Sequence, residues 1–309
     1  MSGDRDNEAG TSCCAYCGMA EIDDIKLVPC DGCDLVRYCG DDCQEDHKLE
    51  HEEDCKKRAA ELRDELLFKQ PESSHLGECP ICCLPMSLDP EKSIIVTCCS
   101  KFICNGCFYT NQFRELDQKL STKCPFCRET LPGETDDEEC DKRMMKRIEA
   151  NDPAAMTDQG AEEYDKGDYH SAFEYWTKAA ELGVLEAHFR LAGLYLFGLG
   201  VEKDEGKIIH HLEEAAIGGH PEARYTLGVK KWNNCDKEIA VKHWIIAATQ
   251  GEDDSIKMLM KAFKEGSVSK EELAAALRAH KAAVDETKSA QREFADEFVA
   301  IYRGGGKHN

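Results

Sequence analysis

The sequence has no long hydrophobic run and little positive charge, and both absences limit what the protein can be. None of its apolar stretches reaches the roughly 18 residues that a membrane-spanning helix requires. Its 39 lysines and arginines are outnumbered by 61 aspartates and glutamates, which leaves a formal net charge of −22. Broad binding to nucleic acid needs basic surface to displace phosphate counterions, so neither nucleic acid nor an anionic membrane is expected as a partner.

The first ten residues also lack the basic start and apolar core of a secretory signal. The chain is therefore expected in the cytoplasm or the nucleus, where thiols stay reduced. This expectation decides how the 19 cysteines are interpreted, since 17 of them lie between Cys13 and Cys127. Reduced cysteines in regular pairs indicate metal ligands, whereas the alternative, a disulfide-rich secreted module, requires an oxidising compartment.

Composition divides the chain into segments. A charged, helix-prone stretch follows the first cysteine cluster, and an acidic block with six acids among residues 134–141 follows the second. The expected order is a disordered tail (1–12), a first zinc module (13–58), a helical linker (59–75), a second zinc module (76–132), an acidic linker (133–150), helical repeats with a capping helix (151–300) and a loose tail (301–309). Like charges extend a linker, so the repeats are expected to vary in position relative to the second module.

The first cysteine cluster contains eight potential ligands in four pairs. They are Cys14 and Cys17, Cys30 and Cys33, Cys39 and Cys43, and His51 and Cys55. Zinc prefers four thiolate or imidazole ligands in a tetrahedron, and a Cys-x2-Cys turn presents two thiolates to one ion. The last pair is spaced i, i+4, so a single helix can direct both side chains at one ion. Eight ligands therefore predict two zinc sites.

This string of ligands resembles a MYND finger, including the Tyr38-Cys39 and Cys43-Gln44 steps. In that family the pairs alternate between the two ions. The resemblance implies one zinc bound by Cys14, Cys17, Cys39 and Cys43, and another bound by Cys30, Cys33, His51 and Cys55. Two alternatives stay open, because Cys13 could compete with Cys14 and His47 could compete with His51.

The second cysteine cluster again offers four pairs, with gaps that suit a cross-braced arrangement. They are Cys79 and Cys82, Cys98 and Cys99, Cys104 and Cys107, and Cys124 and Cys127. The cluster resembles a RING finger of the all-cysteine kind, in which a Cys-x4-Cys step, here Cys99 to Cys104, replaces the usual histidine step. The resemblance implies one zinc bound by Cys79, Cys82, Cys104 and Cys107, and another bound by Cys98, Cys99, Cys124 and Cys127.

The pair Cys98 and Cys99 departs from the family, which has one residue between these two ligands. Side chains of adjacent residues diverge in an extended chain, so both can bind one ion only through a local kink. Cys83 is a spare thiol that could substitute for one of them. Together the two modules predict four zinc ions in closed four-ligand sites, with no open position for metal catalysis.

RING fingers bind a ubiquitin-conjugating enzyme and hold its ubiquitin thioester in a reactive pose, which is catalysis by positioning. Active members dock through an aliphatic residue between the first two ligands, a proline after the seventh, and often a cation after the eighth. This chain has Ile81, Pro125 and Arg128 at those positions. The resemblance implies a ubiquitin ligase without a covalent catalytic residue. The alternative is a scaffold in which Ile81 and Pro125 merely cap zinc loops.

The C-terminal half contains an internal repeat, Ala-Ala-x-x-Gly, whose copies lie 36 and 32 residues apart. The copies end at Gly183, Gly219 and Gly251. Ahead of each copy, apolar residues spaced i, i+3, i+4 share one helix face, which predicts a helix pair per repeat. The same repeat position is occupied by Trp176, Leu212 and Trp244.

The segment that contains Gly198, Gly200 and Val201 resembles the SEL-like subfamily of tetratricopeptide repeats, over roughly 155–255, and the third copy lacks four residues at this loop. Such repeats form a solenoid whose concave face holds a partner protein. The predicted fold is multidomain, with two small cross-braced zinc modules (MYND, RING) followed by an all-α helical-repeat solenoid. The predicted function is a zinc-binding interaction adaptor with RING-type ubiquitin transfer, and the alternative is a non-enzymatic zinc-finger scaffold.

Overall fold

The computed structural model describes residues 13–22, 26–132 and 137–305, and the chain forms two compact units, Met1–Lys69 and Gln70–Asn309. The tail expected over 1–12 lies outside the described residues, as do 133–136 of the acidic segment and 306–309. Within the described part of the chain, no helix combines the length and apolar character needed to cross a lipid bilayer.

The first unit combines a short antiparallel hairpin with one long helix. Strand β1 (Val28–Pro29) pairs with β2 (Arg37–Tyr38), and helix α1 runs from Asp41 to Leu67. Within α1 only His51 and Leu67 are buried, so the helix has almost no apolar face to pack. Since such a helix needs another anchor, its metal-ligand side chains are what attach it to the hairpin. The helical linker expected over 59–75 is the continuation of this helix as far as Leu67, whereas residues 68–75 are not helical.

The second unit begins with a small module built on a hairpin and a helix. A 3-10 helix (Pro90–Lys92) leads into β3 (Ser93–Val96), which pairs with β4 (Lys101–Cys104), and helix α2 (Asn105–Asp117) follows. Between the strands, residues 97–100 form a tight turn in which the Ser100 N–H donates to the Val96 carbonyl over 2.7 Å. Met86, Val96, Ile103 and Phe108 form the apolar core beside the buried cysteines.

The rest of the second unit is helical, in the order α3 (Asp137–Glu149), α4 (Pro153–Asp165), α5 (Tyr169–Glu181), α6 (Leu185–Phe197), α7 (Glu205–Ile217), α8 (Pro221–Asn233), α9 (Lys237–Thr249), α10 (Asp253–Lys264), α11 (Lys270–Glu286) and α12 (Ala290–Gly305). Pairs α4–α5, α6–α7 and α8–α9 are the three repeats. The loop inside the middle pair spans 198–204, whereas the other two span 166–168 and 234–236. The predicted fold class, a cysteine-rich N-terminal region followed by an all-α repeat solenoid, is confirmed.

Each outer repeat is held together by a tryptophan seated on a glycine. Trp176 is the eighth residue of α5 and faces Gly160, the eighth residue of α4, where an added Cβ would lie 2.6 Å from the indole Cδ1. Trp244 of α9 faces Gly228 of α8 in the same way, at 2.7 Å. Both indoles are almost fully buried, and each N–H donates to a carbonyl of the preceding helix. The glycines therefore allow the indoles to approach the helix backbone.

In the middle repeat a different pair of residues occupies the equivalent positions of the two helices. The eighth residues of α6 and α7 are Ala192 and Leu212, and both are buried. A smaller side chain on the second helix leaves room for a methyl group on the first. The pairing of glycine with tryptophan, and of alanine with leucine, keeps the combined volume similar across repeats, as close packing requires.

The acidic segment is not a solvated linker where it is described. Its residues from Asp137 onward begin α3, whose buried Met144 and half-buried Ile148 give the helix an apolar face. The guanidinium of Arg143 donates to the Thr130 carbonyl over 2.7 Å, and that of Arg147 donates to Ser100 Oγ over 3.3 Å. The expectation that the repeats vary in position relative to the second module is therefore wrong, because α3 contacts that module directly.

The C-terminal boundary also differs from expectation. Three helices, α10, α11 and α12, follow the three repeat pairs, where a single capping helix was expected. Helix α12 extends to Gly305, so the expectation of a loose chain is wrong for 301–305. Phe294 and Phe298 of α12 contact Phe113 of α2, with ring centroids 6.1 and 4.7 Å apart. Their apolar contact explains why the helix continues past the repeats.

The glycine–tryptophan pairs predict a specific stability test. Gly228→Ala should lower the free energy of unfolding by about 1–3 kcal/mol, because the methyl group would overlap the Trp244 indole. The control Gly193→Ala lies inside α6 with no neighbouring atom within 4 Å and should be neutral or slightly stabilising. Urea unfolding followed by tryptophan fluorescence measures both.

The middle repeat supplies a rescue experiment for the same test. Trp244→Leu should leave a cavity by itself, whereas Gly228→Ala combined with Trp244→Leu recreates the Ala192–Leu212 combination. The double variant should therefore be less destabilised than the sum of the single changes. Strict additivity would contradict the proposed contact.

Candidate metal centres

Four of the five Cys-x2-Cys pairs lie in turns that share one backbone geometry, whereas the pair Cys104 and Cys107 lies at the start of α2. In each turn the N–H of the fifth residue donates to the carbonyl of the first cysteine, over 2.9 to 3.1 Å. The fifth residue has a positive φ between 54° and 72° in every case. These residues are Gly18, Asp34, Cys83 and Arg128. A left-handed backbone is unfavourable for residues other than glycine, so three of the turns maintain a small local strain to bring their thiols together.

The first centre of the first unit brings together Cys14, Cys17, Cys39 and Cys43, whose sulfur atoms all lie within 4.8 Å of one another. Cys39 Sγ lies 3.5 Å from Cys17 Sγ and 3.5 Å from Cys43 Sγ. A zinc ion with Zn–S bonds of about 2.3 Å requires sulfur atoms about 3.8 Å apart in a tetrahedron. The spacing therefore fits a four-thiolate zinc site.

The second centre of this unit contains Cys30, Cys33, His51 and Cys55. Cys30 Sγ and Cys55 Sγ are 3.7 Å apart, and Cys33 Sγ lies 3.1 Å from His51 Nε2. His47, the alternative imidazole, has its Nδ1 3.1 Å from Tyr38 Oη and stacks on the His51 ring. His47 thus contacts the ligand histidine and is not itself part of the cluster.

The second module contains two further centres that follow the expected alternation. One comprises Cys79, Cys82, Cys104 and Cys107, and the other comprises Cys98, Cys99, Cys124 and Cys127. In the first of these, Cys82 Sγ lies 3.8 Å from Cys104 Sγ. The donor sets and distances of all four centres suit zinc.

The adjacent cysteines of the last centre converge because they occupy the turn between β3 and β4. Cys98 Sγ lies 3.3 Å from Cys127 Sγ, and Cys99 Sγ lies 3.9 Å from Cys124 Sγ. The turn closes where the Cys99 and Ser100 N–H groups both donate to the Val96 carbonyl. This turn is the local kink that two neighbouring ligands require.

The spare thiols lie outside the four clusters. Cys83 is exposed and occupies the left-handed fifth position of its turn, where its N–H closes the turn on Cys79. Cys13 is exposed and forms an isolated bridge with Ala20. The geometry therefore places Cys82 and Cys14, and not their neighbours, among the converging sulfur atoms.

The thiols of each cluster have strongly divided acidities. A hydrogen bond from Cys104 lowers the pKa of Cys79 to about 4, and the same interaction raises that of Cys104. Burial and the hydrogen bond to Cys30 raise the pKa of Cys55 to about 12, while backbone N–H groups outweigh burial and lower that of Cys14 to about 6. Adjacent thiols cannot all ionise together, so a divalent cation is the charge that these clusters need.

The three candidate docking residues all lie on the two turns of the second module. Ile81 is 41% exposed, Pro125 is half-buried, and the Arg128 side chain is 58% exposed. Sequence reasoning missed Phe126, which is 44% exposed and occupies the place in its turn that Ile81 occupies in the other. The shared Cys-Pro-x-Cys pattern of the two turns could have identified it.

Helix α2 anchors the second of these turns through two buried polar side chains. Glu115 accepts the Lys123 N–H over 2.7 Å, and Asn111 donates to the Lys123 carbonyl over 3.0 Å. The Arg128 guanidinium lies at the edge of this network, 3.3 Å from Asn111 Oδ1 and 3.9 Å from Glu115 Oε1. Arg128 is therefore oriented by long contacts and remains accessible to a partner.

A fifth group of potential ligands, His75, Glu186 and His220, was not anticipated, because nothing in their spacing connects them. The two imidazole rings stack with centroids 3.9 Å apart and an interplanar angle of 13°. Nitrogen lone pairs of parallel rings point side by side and do not converge on one ion, so this arrangement does not fit a metal. It connects the segment before the second module to the repeats.

The protonation of this group follows from its hydrogen bonds. His220 Nδ1 accepts the Ala223 N–H, so its Nε2 carries the proton and donates to Glu186 over 2.9 Å. Burial lowers the pKa of His220 to about 4, although Glu186 acts in the opposite direction. Burial raises the pKa of Glu186, but the hydrogen bonds from both histidines hold it well below its usual range. A neutral His220 thus contacts an ionised Glu186 at neutral pH.

Comparison with known families agrees with two parts of this description. Residues 14–55 match the model of the MYND finger, and residues 156–184, 185–220 and 226–252 match that of the Sel1 repeat. The matched ranges do not include the second module. The chain thus joins a MYND finger, with clusters suited to zinc, to Sel1 repeats, which is the composition of a protein-interaction adaptor.

Two solved structures illustrate the similarity of the repeats. A Sel1 repeat protein from Oxalobacter formigenes is 22% identical over 53% of this chain and 49% of its own, with a TM-score of 0.42. The protein c5321, a protective antigen present in uropathogenic Escherichia coli strains displaying an SLR fold, is 20% identical over 62% of this chain and 40% of its own, with a TM-score of 0.38. The chain spans about half the length of the first of these proteins and less than half the length of the second. No curated protein matches it.

The clusters predict four zinc ions per chain. Cys82→Ser should reduce the zinc content to three because it removes one of four ligands, whereas Cys83→Ser should keep four. Elemental analysis of purified protein measures both variants, which differ only in which of two adjacent thiols is lost. Equal zinc loss in the two variants would contradict the assignment of Cys82 as a ligand. Two zinc ions or fewer in the unmodified protein would refute the four-site prediction.

The buried histidines predict that acid destabilises the repeats. Burial lowers the pKa of His211 to about 4 and that of His243 to about 3, in the same direction as for His220. The unfolded chain binds protons near pH 6.5, so the free energy of unfolding should fall by about 1.4 kcal/mol per pH unit per group as pH drops below that value. His220→Asn should reduce this slope between pH 6.5 and 5.

Tryptophan fluorescence measures this slope selectively, because Trp176, Trp232 and Trp244 all lie in the repeats. The control His170→Asn changes a histidine whose side chain is 76% exposed on α5 and should leave the slope unchanged. An identical pH dependence in unmodified protein and His220→Asn would contradict a neutral, buried His220.

Proposed function

We propose that the protein is a RING-type ubiquitin ligase adaptor, in which the second module binds a ubiquitin-conjugating enzyme and the repeats recruit the protein to be modified. The first module, a MYND finger, would provide a further interaction surface. No side chain of the adaptor would react covalently, since the second module would act by positioning the conjugating enzyme's thioester.

The observation that supports this proposal most is the exposure of two different side chains on one rigid module. Ile81 presents an aliphatic surface between two converging thiols, and Arg128 presents a guanidinium from the other turn. An exposed aliphatic anchor suits docking of an apolar partner surface. A planar guanidinium can share hydrogen bonds between two bound proteins, which is what stabilising a thioester-linked ubiquitin would require.

The repeats offer a separate surface for the recruited partner. An apolar cavity of about 320 Å³ lies between their helices and is lined by Phe189, Leu196 and Phe197, among others. Phe197 is 64% exposed at the C-terminal end of α6, beside the long loop of the middle repeat. A partner protein that presents an exposed apolar side chain would fill this cavity. The docking turns of the second module would stay free.

Ubiquitin discharge assays test the proposal. Ile81→Ala should abolish binding to a conjugating enzyme, since truncating such an anchor costs more than about 1 kcal/mol. Arg128→Ala should leave binding nearly intact and slow discharge of ubiquitin from the charged enzyme. Arg128→Lys keeps the charge without the planar fork and should also be slow.

Controls separate loss of docking from loss of folding. Leu182→Ala removes an apolar side chain of the repeats that is 52% exposed, and it should change neither binding nor discharge. All variants should retain the zinc content of the unmodified protein, since none changes a clustered ligand. If a panel of conjugating enzymes shows no discharge above background, the ligase proposal fails and a non-enzymatic scaffold is the remaining function.

A further inference from the structure

The C-terminal helix reaches one zinc-suited cluster of the second module from the far end of the unit. Arg292 of α12 is only 8% exposed, and its Nη2 donates to Cys82 Sγ over 3.3 Å and to the Leu84 carbonyl over 3.1 Å. Its Nη1 donates to the Pro85 carbonyl over 2.7 Å. One guanidinium therefore contacts a clustered thiol and the two carbonyls that follow its turn.

Residues of both α2 and α12 allow these two helices to lie close together. Gly106 of α2 lies so close to Arg292 that a Cβ there would be 2.9 Å from Arg292 Cγ and 3.0 Å from its backbone. Gln291 donates to the Gly106 carbonyl over 3.1 Å. Farther along, Phe298 contacts both Phe113 and Tyr109. The helix is thus positioned by polar contacts at its start and aromatic contacts along its length.

A buried guanidinium requires a compensating negative charge, because desolvating a cation is costly. The carbonyl groups around Arg292 are neutral, whereas Cys82 belongs to a set of four thiols. Four thiolates around one Zn²⁺ carry a net charge of −2, and a hydrogen bond from a cation reduces that excess. The charge of Arg292 and the charge of this cluster therefore compensate each other.

We propose that Arg292 is a positioning residue for zinc, so that the centre formed by Cys79, Cys82, Cys104 and Cys107 is supported jointly by the second module and the C-terminal helix. Zinc retention at this centre and docking of α12 are then coupled, and each strengthens the other by the same free energy. The proposal is independent of ubiquitin transfer, because it concerns only the metal and the helix.

Arg292→Met tests the proposal, since it keeps a long side chain while removing the charge and the hydrogen bonds. Removing a hydrogen-bond partner of a metal ligand typically lowers metal affinity by about 10–100-fold, and a corresponding acceleration of zinc loss is expected at this one centre. Chelator challenge followed by alkylation and mass spectrometry should show faster labelling of Cys82 and unchanged labelling of Cys127. Arg278→Met, on the exposed face of α11, is the matched control.

A second variant separates the direct contact from simple packing. Phe298→Ala removes aromatic contacts with α2 farther along α12 and keeps the guanidinium and its contact with Cys82. In cadmium-substituted protein, the NMR resonance of one centre should shift in Arg292→Met and hold its position in Phe298→Ala, because the metal responds to hydrogen bonding at its sulfur ligands. Arg292→Lys, which retains a charge, should be intermediate and provides the comparison if Arg292→Met does not fold.

The outcomes that overturn the proposal are distinct. Unchanged cadmium resonances together with unchanged Cys82 labelling in Arg292→Met would show that the contact has no effect on the metal. A full reproduction of the resonance shift by Phe298→Ala would show that α12 acts only through packing. Hydrogen exchange provides the reverse measurement, since chelation should expose the amides of 290–301 before those of the repeats, and their continued protection would exclude the coupling.

Discussion

The structure depends on the mutual repulsion of clustered thiolates and on the cation that relieves it. Each centre brings four ligand atoms within 4.8 Å, and such a set cannot ionise fully without positive charge among them. The first unit has few other means of folding, because its strands are two residues long and α1 has almost no buried face. Metal binding therefore determines whether the hairpin of β1 and β2 packs against α1. In this unit the free energy of metal binding is part of the free energy of folding.

The second unit combines this constraint with ordinary side-chain packing. Its module has an apolar core around Ile103 and Phe108, and the repeats are held by buried tryptophans. Among the described residues, the two parts are joined through α3, through α12 and through the segment at residues 73–75. In that segment the His75 N–H donates to the Gly219 carbonyl and Gln250 donates to the Ser73 carbonyl. The surfaces proposed for docking and for recruitment are consequently held in one arrangement.

Local spacing predicted which residues pair, because a Cys-x2-Cys turn and an i, i+4 pair each have one compact geometry. The grouping of the pairs into four clusters followed from the family resemblance, and the structure brings the same side chains together. Cys98 and Cys99 were harder, since their convergence depends on a hairpin turn that begins two residues earlier at Val96. The repeat period located Trp176 and Trp244 but the glycines beneath them were not singled out, although Gly160 and Gly228 occupy equivalent repeat positions. The six acids of 134–141 indicated a linker, yet the nearby Met144 and Ile148 supply the buried face of a helix. His75, Glu186 and His220 are distant in sequence, and only the tertiary fold assembles them.

The contact between Arg292 and Cys82 spans 210 residues of sequence. During synthesis the second module leaves the ribosome long before the helix that supports it. At about 5–20 residues per second the interval is on the order of ten to forty seconds. For that time the exposed thiols of Cys79, Cys82, Cys104 and Cys107 can take up metal without their final partner. The nascent chain would therefore hold its metal at this centre first in a labile form and secure it only after α12 has been synthesised.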